Sequence, residues 1–320
     1  MNIQSIHISP SEINFSYDKE IFISYQTFGA KLSTQPIILV NHALTGNSSV
    51  IGKNGWWNEL IGENKTINTN NYSIIAFDIP GNGFHIKNEI QDYQKFSTRI
   101  IAQLFWKALE KLNIVNLFCV IGGSLGGSIA WEMAFLKPRS IELIVPIACT
   151  NKASDWLIGN VFVQESILNN SSKPIEDARM HAMLLYRTPE SLNEKFNLKK
   201  DSNGSQFMIE NWLNFHGNQL KDRFKLTSYK LMNHLLKTIG SGLNDFLLND
   251  FLNQTNSKIH IISVDSDYMF TEKEQFQTYQ KISENYKEIS FNSIKSIHGH
   301  DAFLIEFKQL HHLLNHHFTK

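Results

Sequence analysis

Five short apolar runs, rich in β-branched residues, punctuate the chain: "PIILVNH" (Pro36 to His42), "YSIIAFDIP" (Tyr72 to Pro80), "NLFCVIGGS" (Asn116 to Ser124), "IELIVPIACT" (Ile141 to Thr150) and "KIHIISVDS" (Lys258 to Ser266). They are apolar throughout rather than alternating, as expected of strands covered on both faces of a parallel sheet. Helical periodicity fills the intervals. Thr98 to Leu112 sets Ile101, Leu104, Phe105, Ala108 and Leu112 on one face. Gly126 to Leu136 reads as a second helix, stopped by Pro138. This alternation predicts an α/β fold with a mostly parallel central sheet.

The alternation breaks between Ser154 and Leu252. Helices are predicted there over Trp156 to Leu168, Ile175 to Tyr186, Phe207 to Phe215, Phe224 to Ile239 and Leu243 to Leu252, joined by polar connections such as "NNSSKP" and "KKDSNGS". The implied organisation is a sheet-bearing core from 1–153 and 253–320, with a helical lid over 154–252. A last helix is expected from Ala302 to Phe318.

Composition narrows the class. Of 320 residues, 42% are hydrophobic and 12% aromatic, enough for a sizeable core. Thirty basic residues balance thirty acidic ones, which argues against a nucleic-acid or anionic-membrane partner held by bulk attraction. Cys119 and Cys149 lie in apolar runs and make neither a disulfide framework nor a zinc site. The opening "MNIQSIHISPSEINF" has no basic start followed by an apolar stretch, and no apolar run approaches the roughly 18 residues that span a bilayer. The expectation is a soluble, cytoplasmic protein.

The first chemical signal is Gly122-Gly123-Ser124-Leu125-Gly126, a G-x-S-x-G pattern between an apolar strand and a helix. That context lifts a serine hydroxyl above the sheet edge as a nucleophile and aims the Leu125 amide at a developing oxyanion. Such a serine needs a base and an orienting acid, in the chain order Ser, acid, His. "IHIISVDSDYMF" offers Asp265 and Asp267, and "SIHGHDAFLIEF" offers His298 and His300; spacing does not choose within either pair. A second oxyanion donor is expected from "NHALTGN", with the amide of Leu44 the best candidate and Ala43 the alternative. His42 stands too early for the base and is expected to hydrogen-bond locally. His312 and His316 are one helical turn apart but have no third ligand in the sequence, so no metal site is expected.

"HALTG", "GWWNELIG", "GGSLGG", "DSDYMF" and "GHDAFLIEF", together with "DARMHAMLLYRTPESLNEKF" and "RFKLTSYKLM" in the lid, resemble the homoserine O-acetyltransferase family of α/β-hydrolase-fold acyltransferases over nearly the whole chain. The resemblance implies that Asp267 is the acid and His300 the base. It implies that Arg179 of "DARM" binds the carboxylate of an amino-acid substrate and that Asp301 meets its amino group. A guanidinium suits a carboxylate because its planar fork can donate two hydrogen bonds at once. The implied reaction is acetyl transfer from acetyl-CoA, as co-substrate, to the hydroxyl of L-homoserine through a Ser124 acyl-enzyme, a step of methionine biosynthesis. No resident cofactor is implied, and the expected partners are these small molecules and a second copy of the chain joined through the lid. The same triad with a wetter pocket would make an esterase or thioesterase; the short "FDIPGNGFH" loop, briefer than that family's usual one, speaks for this alternative.

Overall fold

The computed structural model describes residues 3–85 and 89–318, so the first two residues of the N-terminal segment lie outside it. In chain order the strands are β1 (Gln4–Ile8), β2 (Ile21–Gly29), β3 (Ile37–Asn41), β4 (Ile61–Gly62), β5 (Ile67–Asn68), β6 (Ser73–Phe77), β7 (Leu117–Gly123), β8 (Ile141–Ile147), β9 (Lys258–Val264) and β10 (Ile289–Ile294). Eight of them form one sheet in the order β1-β2-β6-β3-β7-β8-β9-β10, while β4 and β5 pair separately. The β1–β2 and β2–β6 pairs are antiparallel, and every other pair of the main sheet is parallel.

All five strands expected from apolar runs are present, and they form the continuous middle of the sheet. The strands that escaped the sequence pattern have physical reasons to do so. β10 lies at an edge and alternates between more and less exposed positions. β2 carries polar residues that are buried by pairing: Ser24 Oγ donates to Asp78 Oδ2 at 2.6 Å, and Gln26 Nε2 reaches the hydroxyls of Ser48 and Ser49.

One face of the sheet is covered by helices α1 (Thr98–Lys111) and α2 (Leu125–Leu136), whose apolar residues join one large cluster. Six helices then stand between β8 and β9: α3 (Asp155–Asn170), α4 (Pro174–Tyr186), α5 (Pro189–Phe196), α6 (Met208–Lys221), α7 (Leu226–Lys237) and α8 (Asp245–Gln254). Within this group α4 packs on α6, and α3 packs on α4 and α7. Helix α5 was not legible from periodicity because it is eight mostly polar residues. It forms from local signals instead: Pro189 in its first turn, and a Thr188 cap that accepts from the Ser191 amide at 3.0 Å. Helix α9 (Glu272–Ser283), equally polar, starts at a Thr271–Glu274 capping box.

The expected last helix needs correction. Gly299–Leu304 is a separate 3₁₀ turn, and α10 (Phe307–Phe318) begins only after it. The tighter turn buries Phe303 so closely against the sheet that a β-carbon on Gly123 would fall 2.3 Å from its ring. Helix α10 then covers the opposite face through Leu310, Leu314 and Phe318, spaced one turn apart. Among the described residues no helix is long and apolar enough to cross a membrane.

Candidate active site

Ser124 occupies the sharp corner between β7 and α2, with φ 57° and ψ −131°. Side chains with a β-carbon disfavour this region, so the conformation must be imposed by its surroundings. The Ser124 amide donates to the Ile147 carbonyl at 2.9 Å, fixing the corner to β8. The flanking glycines allow backbone to approach backbone. A β-carbon on Gly122 would lie 2.6 Å from the Gly126 carbonyl carbon, and one on Gly126 would lie 2.4 Å from the Asn41 oxygen. Any larger residue at either place would push the corner open.

His300 Nε2 lies 2.8 Å from Ser124 Oγ, and His300 Nδ1 lies 2.7 Å from Asp267 Oδ2. With the carboxylate accepting from Nδ1–H, Nε2 keeps its lone pair for the serine proton. Asp267 Oδ1 accepts from the amides of Met269 at 2.7 Å and Phe270 at 3.0 Å, which aims the other oxygen at the imidazole. Burial alone would disfavour the imidazolium of His300. The charge and hydrogen bond of Asp267, aided by Asp301, outweigh it and raise the pKa of His300 above its ordinary value.

The geometry separates the paired candidates. Asp265 accepts from the Ser296 amide at 3.1 Å and faces Lys295, away from the imidazole. His298 accepts from Arg187 Nη2 through Nδ1 at 3.0 Å. His42 is a strut: Nδ1–H donates to the Ala43 carbonyl at 2.7 Å, and Nε2 accepts from the Ile79 amide at 3.0 Å. Its burial lowers its pKa, against the pull of Asp78, and keeps it neutral.

Leu44 lies in the loop after β3, and Leu125 opens α2. Gly126 touches the carbonyls of Asn41 and His42, so the two segments are side by side. Neither the Leu44 nor the Leu125 amide donates to a protein acceptor among the described residues.

Arg179 and Asp301 join the same neighbourhood from α4 and from the turn that carries His300. Arg179 Nη1 is buried without a partner among the described residues, and its guanidinium sits over the Tyr186 ring at 5.4 Å. Asp301 has its pKa raised by burial, with His300, Arg179 and Arg187 pulling the other way. No hydrogen bond among the described residues reaches its carboxylate. The region is electropositive: His216 is pushed to about 4, first by burial and then by Arg179, Lys195 and Arg187.

Two residues were missed from sequence. Tyr186 is buried, with its ring centroid 5.7 Å from that of His300. It stands seven residues after Arg179, two helical turns along one face of α4, and that spacing was a usable signal. Arg187 is buried at 8% exposure and grips Ser191 Oγ and His298. Ser191 is only four residues on, but the contact with His298 spans 111 positions and no local window shows it.

The sheet order, the corner at Ser124 and the Ser-Asp-His order define an α/β hydrolase, and the alpha/beta hydrolase fold family matches residues 36–304. Within that class the chain belongs to the homoserine O-acetyltransferase family, a family of acyltransferases. It is 31% identical to the homoserine O-acetyltransferase of Methanococcus vannielii, over 93% of this chain and 68% of that protein. It is 30% identical to that of Cyclobacterium marinum, over 98% of this chain and 97% of the relative. Among solved structures it resembles esterase E22 (TM-score 0.84, 15% identity, 99% of this chain and 100% of the other). It also resembles the homoserine O-acetyltransferase from Bacillus anthracis (TM-score 0.82, 16% identity, 98% and 97%). These structural likenesses establish the shared fold.

Proposed function

We propose that the enzyme transfers an acetyl group from acetyl-CoA to the hydroxyl of L-homoserine through an acyl-enzyme on Ser124, a step of methionine biosynthesis. The observation that carries the choice of acceptor is the pair Arg179 and Asp301: opposite charges beside the triad, each without a hydrogen-bonding partner for the atoms in question. A zwitterionic amino acid supplies a carboxylate for one and an ammonium for the other.

In the first half-reaction His300 takes the Ser124 proton as Oγ attacks the thioester carbonyl. The amides of Leu44 and Leu125 stabilise the oxyanion, each worth roughly 3–4 kcal/mol. His300, now an imidazolium held by Asp267, gives its proton to the departing thiolate. In the second half neutral His300 deprotonates the homoserine hydroxyl as it attacks the acyl carbonyl, and the imidazolium then returns that proton to Ser124 Oγ as the acyl–serine bond breaks. A transferase must keep water from the acyl-enzyme, and the packing of Tyr186 beside His300 supports a lid in that role. The exposed Trp156 and Phe162 of α3 and Phe215 of α6 support a homodimer formed through the lid.

Transfer of the acyl group to water, as in an esterase, is favoured by the short Asp78–His85 connection and by the brief "VQESILNNSSKPIEDAR" stretch of the lid. Incubation of the pure protein with acetyl-CoA, with and without L-homoserine, separates the two readings. Thiol release accelerated by homoserine, with O-acetylhomoserine as product, is expected. Thiol release indifferent to homoserine, with acetate as the sole product, would overturn the proposal.

A further inference from the structure

A second constellation lies at the other end of β9 from Asp267. His260, the third residue of β9, is buried, and it meets His316 and His317 from the end of α10. One ring nitrogen of each lies within 4.8 Å of the others. The sequence offered only His312 and His316, one turn apart. Tertiary structure replaces His312 with His317 and brings in His260 from 56 positions away in the chain, as the difference 316 − 260 gives.

The hydrogen bonds around His260 prepare it as a ligand. Its Nε2 lies 2.9 Å from Asn292 Oδ1 on β10, so that nitrogen carries the proton and donates it to the amide oxygen. Nδ1 keeps its lone pair and accepts from His317 Nε2–H at 2.9 Å, a proton that a bound ion would replace as His317 takes its other tautomer. Metal-bound histidines are oriented in this way, with the distal N–H given to a carbonyl so that tautomer and ring plane are fixed. His316 is exposed and its ring centroid lies 3.8 Å from that of His317, so an ion can reach the cluster from solvent. The adjoining cavity of about 560 Å³ is lined by Glu142, Glu288, Lys258 and the two terminal histidines, and has room for solvent.

We propose that His260 Nδ1 and one ring nitrogen each of His316 and His317 bind a divalent transition-metal ion, Zn²⁺ or another imidazole-seeking ion such as Ni²⁺ or Cu²⁺, with solvent as the fourth ligand. Imidazole donors select these ions over Mg²⁺ and Ca²⁺. Tetrahedral ligands at zinc distances stand roughly 3.3 Å apart, so the 2.9 Å pair opens slightly and exposed His316 closes in. The ion would tie α10 to β9 and, through Asn292, to β10. It plays no part in the chemistry at Ser124.

The test uses the full chain stripped of metal with a chelator and titrated with ZnCl₂ by calorimetry, with thermal unfolding in parallel. One equivalent is expected to bind and to raise Tm by mass action on the folded state. Co²⁺ should give the visible absorption of a tetrahedral site. His316→Gln and His317→Gln lie at the surface end of α10 and are expected to fold. Each should weaken binding at least about tenfold, while His300→Ala should leave it intact. Absence of saturable one-to-one binding would overturn the proposal. So would unchanged binding in the His316→Gln, His317→Gln double variant, or its loss in His300→Ala.

Discussion

A β-carbon on Gly299 would stand 2.8 Å from the carbonyl oxygen of Tyr186. The last residue of α4 thus presses directly on the turn that carries His300, the proposed base. Two further links reinforce the contact: Thr188 Oγ1 donates to the Ile297 carbonyl, and Arg187 donates to His298. The helices between β8 and β9 therefore position the catalytic loop as well as covering it.

Gly299→Ala is expected to damage both stability and turnover. Gly299 has φ +66°, where an alanine is strained by about 1 kcal/mol or more, and the clash adds to this. Displacing His300 by even an ångström should lower kcat/KM about 100-fold. Steady-state kinetics and thermal unfolding check both effects; wild-type kinetics in this variant would show that the contact does not position the base.

Ser124→Ala and Ser124→Gly should both abolish acyl transfer, yet differ in stability. Alanine keeps a β-carbon at φ 57° and ψ −131°, whereas glycine accepts that conformation. The strain at such corners is about 1–3 kcal/mol, part of which glycine returns through the greater entropy of its unfolded chain. The glycine variant should be the more stable by about 1 kcal/mol, read by denaturant unfolding. Equal stability would mean that the corner stores no strain.

The pH profile should carry the mark of Asp267. His300 acts as a base only when neutral, and its pKa is raised above the ordinary imidazole value. Acylation should therefore fall as pH drops through a midpoint above about 6.5. Asp267→Asn removes the negative charge that raises the pKa, so the midpoint should move to lower pH while the maximal rate falls steeply. The pH dependence of kcat/KM for acetyl-CoA measures both.

Arg179→Leu and Asp301→Asn should separate the two half-reactions. Acylation of Ser124, read as a burst of thiol, should be nearly preserved, while kcat/KM for homoserine falls about 100-fold in each. A parallel loss of both half-reactions would place these residues in the triad's support rather than in acceptor binding.

Asp301→Asn should also stabilise the fold at neutral pH. The folded pKa of Asp301 is raised mainly by burial, so its ionised form opposes folding at pH values above the unfolded carboxylate range. That penalty is absent below about pH 4, where the carboxyl is protonated in both states. The Tm of the variant should exceed that of the wild type at pH 7, and the two should converge in acid.

Much of this was legible in the residues alone. Strands β3, β6, β7, β8 and β9 announced themselves because a strand covered on both faces must be apolar at every position. The glycines around Ser124 announced the corner because backbone approaching backbone tolerates nothing larger. Edge strand β10 and polar helices α5 and α9 did not: β10 is half-exposed, and the two helices carry too few apolar residues for periodicity to register, although their Thr188 and Thr271 caps are local.

Sequence by itself also bounded the site to a few residues: one serine, two aspartates and two histidines, with resemblance pointing to Asp267 and His300. Only the tertiary structure shows, through distance, which of each pair meets the serine. Asp267 Oδ2 and Ser124 Oγ reach opposite nitrogens of one imidazole, while Asp265 and His298 are occupied by Lys295 and Arg187. The same limit explains His260, His316 and His317. A run of histidines on a terminal helix reads as a solvated surface until a strand from elsewhere in the chain places a buried imidazole beside it.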